Sequence, residues 1–424
     1  MSPHPGEPPP DQPTPDPVAE PATGRLPGDV PNNLPRGSRT RRLLTLAAGI
    51  VALLILGTST ALWWLVNGAT GRIHRIDVFS GMPHRPAKTV EESTNYLLVG
   101  SDTRQGIDPK TLRELHTGSA ADAAAGQRSD TIILIHVSER RDEVLLVSFP
   151  RDSYVEIPAH TDGEGDRHDA RRTKLNEAYS LGGPQLTVRT IEHITGIRVD
   201  HYIEVDFPGF VHMVNALGGV DVCTPRPLRD EQAGLDLPAG TTHLTGEEAL
   251  GYVRSRHVDA TGDIGRIERQ QKFLAAMFDR ALSTGMLLDP GKLREFVYAA
   301  AESLDTDSGL TTGDMTDLAM RLRDLTASGV SFVTMPVRDL DHRVPGVGST
   351  VRWDDDAAGA LFEAVREDRA LGGSAAPGST SGQPHPGSTR DGDPPPAEGR
   401  EEGGGSPEIT ADTAAENACG PSPR

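Results

Sequence analysis

Four arginines, Arg254, Arg256, Arg266 and Arg269, lie within the stretch from residue 252 to residue 271. Arg266 and Arg269 are three residues apart, so on a helix they share one face, with Gln270 beside them. Each guanidinium can bind two oxygens of a phosphate or carboxylate at once. The stretch therefore indicates a site for a multiply charged oxyanion, while pairing with a surface carboxylate is the alternative for any single arginine.

Three apolar runs typical of β-strands carry an arginine and an aspartate at one end. Open α/β sheets bind ligands beyond their strand ends, so we expect these side chains to face a common ligand. Carboxylates beside arginines favour a metal-bound diphosphate, because Mg²⁺ takes carboxylate oxygens together with substrate phosphate. For a single aspartate, a turn or helix cap is the alternative. The residues are Asp102 and Arg104, Arg128 and Asp130, and Arg151 and Asp152.

Other catalytic arrangements fit the sequence poorly. It has no Gly-x-Ser-x-Gly elbow, no His-Glu-x-x-His zinc helix and no nucleotide-binding Gly-x-x-x-x-Gly-Lys loop. His136, His201 and His212 stand in apolar stretches and are interpreted as ordinary core or edge residues. His257 is nearer to the arginines, but a lone histidine is weak evidence for catalysis.

A basic segment, residues 36–42, is followed by an uncharged run over residues 43–66. At about 1.5 Å per residue this run spans a hydrocarbon core of about 30 Å, and it is too long for a signal peptide. A buried soluble helix is the alternative. We predict a single transmembrane helix over 43–66, with the N-terminus cytoplasmic because the basic residues precede the span. The remainder of the chain is then extracytoplasmic, where no ATP drives a reaction.

Composition divides the rest of the 424 residues. Residues 1–42 are predicted to be a disordered cytoplasmic tail, 72–368 a folded domain, and 369–424 a disordered low-complexity tail. The net charge of −19 argues against a nucleic-acid partner. The two cysteines, Cys223 and Cys419, are free to form one disulfide in an oxidising compartment, or to remain two thiols.

Apolar periodicity predicts an α/β fold: an α-β-α sandwich in which helices cover a central mixed sheet. Residues 131–137 and 143–149 read as a hairpin. The predicted strands are 95–100, 131–137, 143–149, 201–205, 220–222 and 330–335. The predicted helices are 184–194, 207–217, 246–254, 263–282, 290–304, 311–325 and 354–367, and Asp263 is predicted to cap its helix.

Six motifs in order resemble the LytR-CpsA-Psr family over residues 90–285. They are Asn-Tyr-Leu-Leu-Val-Gly-Ser-Asp-Thr-Arg from 95, Arg-Ser-Asp-Thr-Ile from 128, Val-Ser-Phe-Pro-Arg-Asp-Ser from 147, Lys-Leu-Asn-Glu-Ala-Tyr from 174, Leu-Gly-Gly-Val-Asp-Val from 217, and Ala-Leu-Gly-Tyr-Val-Arg-Ser-Arg from 249 with Gly-Arg-Ile-Glu-Arg-Gln-Gln from 265. The composition is typical of a high-GC actinobacterium. Two departures are a short segment between Arg256 and Arg266 and the phenylalanine at Phe149.

The resemblance implies a membrane-anchored phosphotransferase. Such enzymes move a glycopolymer, such as teichoic acid or arabinogalactan, from a polyprenyl-diphosphate carrier onto peptidoglycan, with Mg²⁺ and with the lipid tail in an apolar pocket between sheet and helices. By resemblance Asp102 and Asp130 hold Mg²⁺, while Asp263 serves the metal, acts as a base or orients other groups. Those expected to grip the diphosphate are Arg104, Arg128, Arg151, Arg254, Arg256, Arg266 and Arg269. Lys174, Asn176 and Tyr179 are expected to contact the head group or orient the arginines, with a structural role as the alternative, and Gln270 is expected to bind substrate.

Two other functions stay open at this point. The same residues would serve a hydrolase that cleaves the polyprenyl diphosphate with water. A non-catalytic regulator of the cell envelope that binds anionic lipid is the second alternative, although a pair of metal-binding aspartates is of little use to a pure receptor. The sequence does not distinguish a peptidoglycan acceptor from a protein acceptor.

Overall fold

The computed structural model describes residue 68, residues 71–102 except 83, residues 129–371 except 140–142, 163–164, 257, 259–261, 283–288, 312, 316 and 319–324, and residues 411–413. The predicted transmembrane segment, 43–66, lies outside these residues. Among the helices that are described, none combines the length and the apolar character needed to cross a membrane.

The strands, in chain order, are β1 His74–Ile76, β2 Thr94–Ser101, β3 Ser129–Val137, β4 Val144–Phe149, β5 Tyr154–Ile157, β6 His160–Thr161, β7 Arg167–His168, β8 Arg171–Lys174, β9 His201–Val205, β10 Val220–Thr224, β11 Leu228–Asp230, β12 Leu235–Leu237, β13 Gly240–Leu244, β14 Leu304–Asp307, β15 Val330–Thr334, β16 Val337–Val344, β17 Gly348–Trp353 and β18 Asp412–Thr413. The helices are α1 Glu177–Thr195, α2 Phe207–Ala216, α3 Gly246–Arg254, α4 Asp263–Leu282, α5 Pro290–Ser303 and α6 Asp355–Arg366.

The central sheet has the strand order β1-β14-β9-β2-β3-β4-β15-β18 within the described chain. β2 runs antiparallel to β3 and β3 antiparallel to β4, whereas β9 is parallel to β2 and β15 is parallel to β4. The predicted hairpin of β3 and β4 is thereby confirmed, and the predicted central mixed sheet is confirmed with it.

Alternate residues of the sheet pack against different helices. Leu97 and Leu134 belong to the core cluster that also contains residues of α1 and α6. Tyr96 and Ile133 point the other way, into the cluster that includes residues of α4. Because side chains alternate along a strand, one sheet buries both of its faces, which explains why these runs are almost continuously apolar. The result is the predicted layering of helices, sheet and helices.

α2, α3 and the middle of α4 form a further apolar cluster with the hairpin of β10 and β13. The first helix of this group begins as its sequence predicts, since the side chain of Asp206 accepts from the N–H of Gly209 and Pro208 stands in the first turn. α3 begins with a capping box between Thr245 and Glu248. These caps fix where α2 and α3 start beside the site.

Several element predictions differ from the structure. α1 begins at Glu177, earlier than predicted, with a break at Gly182 and Gly183 where the backbone leaves helical geometry. The helix predicted over 290–304 ends at Ser303, because Leu304–Asp307 joins the sheet as β14 between β1 and β9. The hairpin of β16 and β17 was missed, since its strand residues are mostly polar and exposed. The helix predicted over 311–325 falls largely outside the described residues.

Candidate functional site

Strand pairing brings the predicted strand-end residues to one edge of the sheet. Gly100 of β2 pairs with Thr131 of β3, and β3 in turn pairs antiparallel with β4. Asp102 follows the end of β2, Asp130 stands at the start of β3, and Arg151 follows the end of β4. The three segments therefore meet where the sheet ends, which is where the strand pattern predicts a ligand.

Asp130 is surrounded by arginines. Its Oδ1 accepts from Arg151 Nη1 at 2.5 Å, and it lies 3.4 Å from Arg256 Nη2 and 3.9 Å from Arg266 Nη1. Burial alone would raise the pKa of Asp130, but the charges of Arg266, Arg151 and Arg256 outweigh it and lower the pKa from 3.8 to about 2. Asp130 is therefore ionised at neutral pH. Arg151, Arg256 and Arg266 are called the arginine cluster below.

Arg151 is shared among carboxylates. Besides Asp130, its Nε lies 3.6 Å from Asp152 Oδ2 and 3.7 Å from Asp263 Oδ1. Burial acts to lower the pKa of Arg151, but the charges of Asp130, Asp152 and Asp263 raise it above its ordinary value. Lys174 Nζ lies 3.0 Å from Asp152 Oδ1 and so supports the same carboxylate from β8. Arg151 is thus held in place, and charged, by carboxylates of three different segments.

The first turn of α4 supplies the buried part of the site. Arg266 is 2% exposed, and its Nη2 donates to the backbone oxygen of Asp130 at 2.9 Å and lies 2.7 Å from Asp263 Oδ1. Burial lowers the pKa of Arg266 to about 10, although Asp263 opposes the shift, so the guanidinium stays charged at neutral pH. Arg266 N–H donates to the oxygen of Gly262, which makes Gly262 the N-cap residue. The prediction that Asp263 caps this helix was wrong: Asp263 turns toward the arginines instead.

Asp263 and Arg266 also keep unused hydrogen-bonding capacity. Both carboxylate oxygens of Asp263 and the Nε of Arg266 are buried, and none has a hydrogen-bond partner of suitable geometry in the part of the chain that the structure describes. The 2.7 Å approach between the two side chains is therefore an ion pair without a well-aligned hydrogen bond. Buried polar atoms without partners are costly in a folded protein, and they are typical of a binding site that a ligand completes.

The other predicted residues of the arginine-rich stretch surround this centre. Arg269 Nη2 donates to the oxygen of Ser255 at 2.7 Å, and Gln270 Nε2 donates to Thr131 Oγ1 at 3.0 Å and to the oxygen of Val253 at 3.2 Å. Arg254 lies with its Cζ 4.8 Å from the centre of the Phe207 ring. Gln270 thus ties α4 to both β3 and α3, which sets the distance between the arginines of the two helices.

Three residues of the Lys-Leu-Asn-Glu-Ala-Tyr motif were predicted to belong to the site. Two of them contact residues of the arginine-rich site, and the third lies in the core. Lys174 reaches Asp152, and the backbone N–H of Asn176 donates to the oxygen of Arg151 at 3.0 Å. Tyr179 instead belongs to the core on the other face of the sheet, where its hydroxyl donates to Glu204 Oε1 at 2.5 Å. The burial of the Tyr179 ring with α1 favours the structural alternative for this residue, and its contact with the head group stays a prediction.

Some predicted residues cannot be placed. Arg104, Arg128, His257 and Cys419 lie outside the described residues. Cys223 is half-buried on β10, and its predicted disulfide with Cys419 stays a prediction. Asp102 is described, at the end of β2.

An apolar cavity of about 320 Å³ opens beside the arginine cluster, between the sheet and helices α2, α3 and α4. Its polar lining includes Asp130, Asp206, Arg254, Arg266 and Gln270, and its apolar lining includes Phe273, Leu274 and Met277. Arg266 and Gln270 lie nearer the start of α4 than Met277 does. At 1.5 Å per residue, Met277 lies about 16 Å from Arg266 along the helix axis. The cavity is therefore charged at one end and apolar along the rest of its length.

The carboxylates at the charged end suit a hard divalent cation. Asp102 and Asp130 flank the pairing of β2 with β3, and Asp263 offers buried oxygens that lack hydrogen-bond donors within the described chain. No group of three or more potential ligand residues is close enough to hold a metal by itself, as far as the described residues go. Mg²⁺ commonly binds through one or two carboxylates and substrate phosphates, so the donor set fits Mg²⁺ that is completed by a bound diphosphate.

Two acidic residues of the site were given no role from the sequence: Asp152 was noted only as the aspartate beside Arg151 at a strand end, and Asp206 was not singled out. Asp152 follows Arg151 directly and is the carboxylate that joins it to Lys174. Asp206 lines the cavity, and burial raises its pKa even though the N–H of Gly209 opposes the shift. The position of Asp152 directly after Pro150 and Arg151, at the end of a predicted strand, is the sequence feature that indicates a place in the site. Asp206 precedes Phe207 and Pro208 and reads only as a helix cap.

The chain was compared with known proteins. The model of the LytR_cpsA_psr family matches residues 70–363. A Corynebacterium glutamicum protein named "Probable cell wall biosynthesis protein LcpB" is 36% identical over 331 residues, which cover 77% of this chain and 72% of that protein. Its actinobacterial source agrees with the amino-acid composition, which is typical of a high-GC actinobacterium.

Two further similarities concern named transferases. An Enterococcus faecalis protein named polyisoprenyl-teichoic acid–peptidoglycan teichoic acid transferase TagU is 31% identical over 289 residues, which cover 68% of this chain and 85% of that protein. The crystal structure of Bacillus subtilis TagV superposes with a TM-score of 0.50 at 25% identity, covering 66% of this chain and all of that one. The two comparisons thus match similar shares of the chain, 68% and 66%.

Proposed function

This chain belongs to the LytR-CpsA-Psr family, and on that premise we propose that it transfers a glycopolymer from a polyprenyl-diphosphate carrier onto peptidoglycan. Its relatives are named as cell wall biosynthesis proteins and as transferases of polyisoprenyl-linked teichoic acid to peptidoglycan. The proposal brings that reaction class to this chain, with its own glycopolymer left open.

One observation carries the proposal: the arginine cluster and the apolar cavity are continuous. Arg266 belongs to both, and Asp130, which the cluster surrounds, also lines the cavity. The cavity beyond them is lined by α4 residues such as Leu274 and Met277. A polyprenyl diphosphate has the same division, with charge at one end and hydrocarbon along the rest. Guanidinium groups bind phosphate oxygens through paired hydrogen bonds, while the cavity takes an apolar tail out of water.

In the proposed reaction an acceptor hydroxyl of peptidoglycan forms a bond to the phosphorus that carries the glycopolymer. The bond from that phosphorus to the bridging oxygen breaks, and polyprenyl monophosphate leaves. Arg151, Arg256 and Arg266 stabilise the charge that develops on the phosphate oxygens. Asp130 is too acidic to accept a proton well, because its pKa is about 2. Asp263, whose oxygens lack hydrogen-bond donors in the described chain, is the group we assign to receive the hydroxyl proton.

Mg²⁺ is part of the proposal. Asp102 and Asp130 would hold it, with the diphosphate supplying further oxygens. When bound, the cation neutralises charge on the diphosphate and on the leaving monophosphate. Held between those carboxylates and the arginines, the diphosphate could be oriented without any contribution from ATP.

We further propose that residues 43–66 anchor the chain in the membrane and that residues 72–368 form the extracytoplasmic catalytic domain. A membrane anchor keeps the domain near a lipid-linked donor, so the effective donor concentration rises without any new contact. The tails over 1–42 and 369–424 take no part in the proposed chemistry.

Turnover of a defined donor tests the proposal. The full chain in detergent is mixed with a synthetic farnesyl-diphosphate-linked disaccharide and soluble peptidoglycan oligomers, with Mg²⁺ or with EDTA. Released farnesyl phosphate and glycosylated peptidoglycan are measured by mass spectrometry. We expect Mg²⁺-dependent formation of both products in equal amounts, and a loss of at least 100-fold in Arg151→Gln and Asp130→Asn.

Arg229→Gln is the matched control, since Arg229 lies in an exposed ion pair with Asp236. Farnesyl phosphate without glycosylated peptidoglycan would favour hydrolysis. Tight donor binding with no turnover under any condition would favour a non-catalytic receptor. Unchanged turnover in EDTA would remove Mg²⁺ from the proposal, and absence of donor binding would overturn the proposal itself.

A further inference from the structure

A second groove, of about 910 Å³, lies on the side of α5 and is separate from the arginine cluster. Its cationic lining consists of Arg72, Arg280, Lys292 and Arg294, and Tyr298 stands among them. Arg72 pairs with Glu302 and stacks over the Tyr298 ring, with its Cζ 4.5 Å from the ring centre. Arg280, Lys292 and Arg294 have no carboxylate within ion-pair distance in the described part of the chain. We call the part of the groove that these three residues line the basic groove.

The three cations come from two different helices, so the fold, and not the spacing along one helix, brings them together. Lys292 and Arg294 come from the start of α5, whereas Arg280 comes from the last turn of α4. Arg280 extends across the turn after α2, where an added Cβ on Gly218 would lie 3.7 Å from its Nη2. Gly218 has a φ of +77°, which suits glycine and lets the arginine pass close to the backbone. α4, α5 and the turn after α2 thus build one groove in which the cations outnumber the carboxylates of Glu295 and Glu302.

Residues that closely follow the predicted membrane span in sequence lie beside this groove. Gly68 stands two residues after Val66, the last residue of that span, and it packs against α5: a Cβ added there would lie 2.5 Å from Tyr298 Oη. Arg72 follows within four residues and contacts both Tyr298 and Glu302. Gly68 and Arg72, which follow the predicted span in sequence, therefore both contact the helix that lines the groove.

We propose that the basic groove binds the phosphate head group of an anionic phospholipid at the outer surface of the membrane. The protein as a whole carries a net charge of −19, so an anionic bilayer repels most of its surface, and an attractive contact requires a local cluster of cations. Guanidinium and ammonium groups bind phosphate oxygens, and the ring of Tyr298 suits the interface between head group and hydrocarbon. The volume of the groove accommodates a glycerophosphate head group.

Lipid binding by the full chain tests the proposal independently of transfer. The purified chain in a nonionic detergent is titrated with dihexanoyl-phosphatidylglycerol or dihexanoyl-phosphatidylcholine, and bound lipid is counted by native mass spectrometry. We expect the wild-type chain to prefer phosphatidylglycerol. The triple variant Arg280→Gln, Lys292→Gln and Arg294→Gln is expected to bind phosphatidylglycerol about 100-fold more weakly, because each cation near an anionic lipid surface raises the affinity about fivefold.

The control removes three exposed cations that do not line the groove, as Arg167→Gln, Arg226→Gln and Arg343→Gln. It has the same net charge as the triple variant and should bind phosphatidylglycerol like wild type. Circular dichroism checks folding, and the double variant Lys292→Gln with Arg294→Gln, both exposed, replaces the triple variant if that one does not fold. Equal binding of the two lipids by wild type, equal loss in the control variant, or displacement of the lipid by an equal concentration of inorganic phosphate would each overturn the proposal.

Discussion

Arg266 donates from Nη2 to the backbone oxygen of Asp130 at 2.9 Å, which fixes the first turn of α4 against the start of β3. The same guanidinium lies 3.9 Å from the Asp130 side chain and 2.7 Å from Asp263. One buried arginine therefore joins a helix to a strand and also contributes charge to the proposed diphosphate site. Changes at this position should affect stability and turnover together.

Arg266→Lys tests that double role. A lysine has one ammonium and cannot reach both the Asp130 backbone and Asp263, so either the Asp130 oxygen loses its donor or Asp263 loses this ion-pair partner. We expect the free energy of unfolding to fall by about 1–3 kcal/mol and turnover of the farnesyl-linked donor to fall at least 100-fold. Urea unfolding of the full chain in detergent and the donor assay measure the two effects.

Arg229→Lys is the matched control, because its ion pair with Asp236 is exposed and should change stability by less than about 0.5 kcal/mol. A variant of Arg266 that loses turnover with unchanged stability would show that the contact with the Asp130 backbone does not support the fold.

Asp130→Asn tests the charge at the centre of the arginine cluster through pH. The pKa of Asp130 in the folded protein is about 2, below the value of about 3.9 in an unfolded chain. The carboxylate therefore stabilises the fold fully above about pH 4, and this contribution is lost as the pH falls through about 2. We expect the asparagine variant to be less stable by about 2 kcal/mol at pH 7, with a difference that shrinks toward acidic pH.

Urea unfolding at pH 7, 5, 4 and 3 measures this difference. Asp236→Asn removes a carboxylate from an exposed ion pair and should show no such pH dependence. A gap between wild type and Asp130→Asn that stays constant from pH 5 to pH 3 would contradict the depressed pKa.

Local pattern predicted much of this site correctly, because its residues follow strands and helices with clear apolar periodicity. The helix predicted over 263–282 has those bounds in the structure, and it brings Arg266 and Gln270 to one side. The strand ends that carry Asp130 and Arg151 meet because β3 and β4 form the predicted hairpin. Spacing and strand order were enough for these residues.

Pattern was not enough where tertiary contacts decide. Tyr179 stands three residues after Asn176, but the turn into α1 sends its ring to the opposite face of the sheet, toward Glu204. Asp263 has the residue type of a helix cap, yet the arginines around it attract its carboxylate and Gly262 takes the cap position. Neither outcome can be read from neighbouring residues, since both depend on side chains from other segments.

Met277→Trp tests whether the cavity holds the lipid tail. Met277 lines the apolar part of the cavity, and a larger ring there leaves less room for hydrocarbon. We expect the KM for an undecaprenyl-linked donor to rise about tenfold, which corresponds to losing about 1.4 kcal/mol of apolar burial. The KM for a geranyl-linked donor and the kcat for both donors should change little, because the short chain ends before the blocked region.

Leu340→Trp is the control for an added indole, since Leu340 is 53% exposed and does not line the cavity. An equal rise in KM for the two donors would mean that the substitution disturbs the charged end. No change for either donor would place the tail outside the cavity.

Deleting residues 372–424 tests the role of the last strand. Within the predicted disordered tail, β18 pairs antiparallel with the edge strand β15, with Phe332 opposite Asp412, and Ala411 is buried in the core beside it. Without β18, the apolar edge of Val330–Thr334 offers unpaired backbone groups to other chains. We expect the deletion to lower the free energy of unfolding by about 1 kcal/mol and to cause concentration-dependent self-association, measured by urea unfolding and sedimentation velocity.

Two controls separate the strand from the rest of the tail. Deleting residues 378–402 shortens the connection but keeps β18, and the cost of closing a shorter loop changes only by a fraction of a kcal/mol, so stability should be preserved. Cys419→Ser keeps β18 and removes the sulfur of the predicted disulfide. If Cys419→Ser reproduces the effect of the full deletion, then the disulfide, and not strand pairing, stabilises this edge. If the full deletion stays monomeric and unfolds like wild type, β18 contributes nothing to the sheet, whereas an effect confined to that deletion assigns the protection of β15 to residues 411–413.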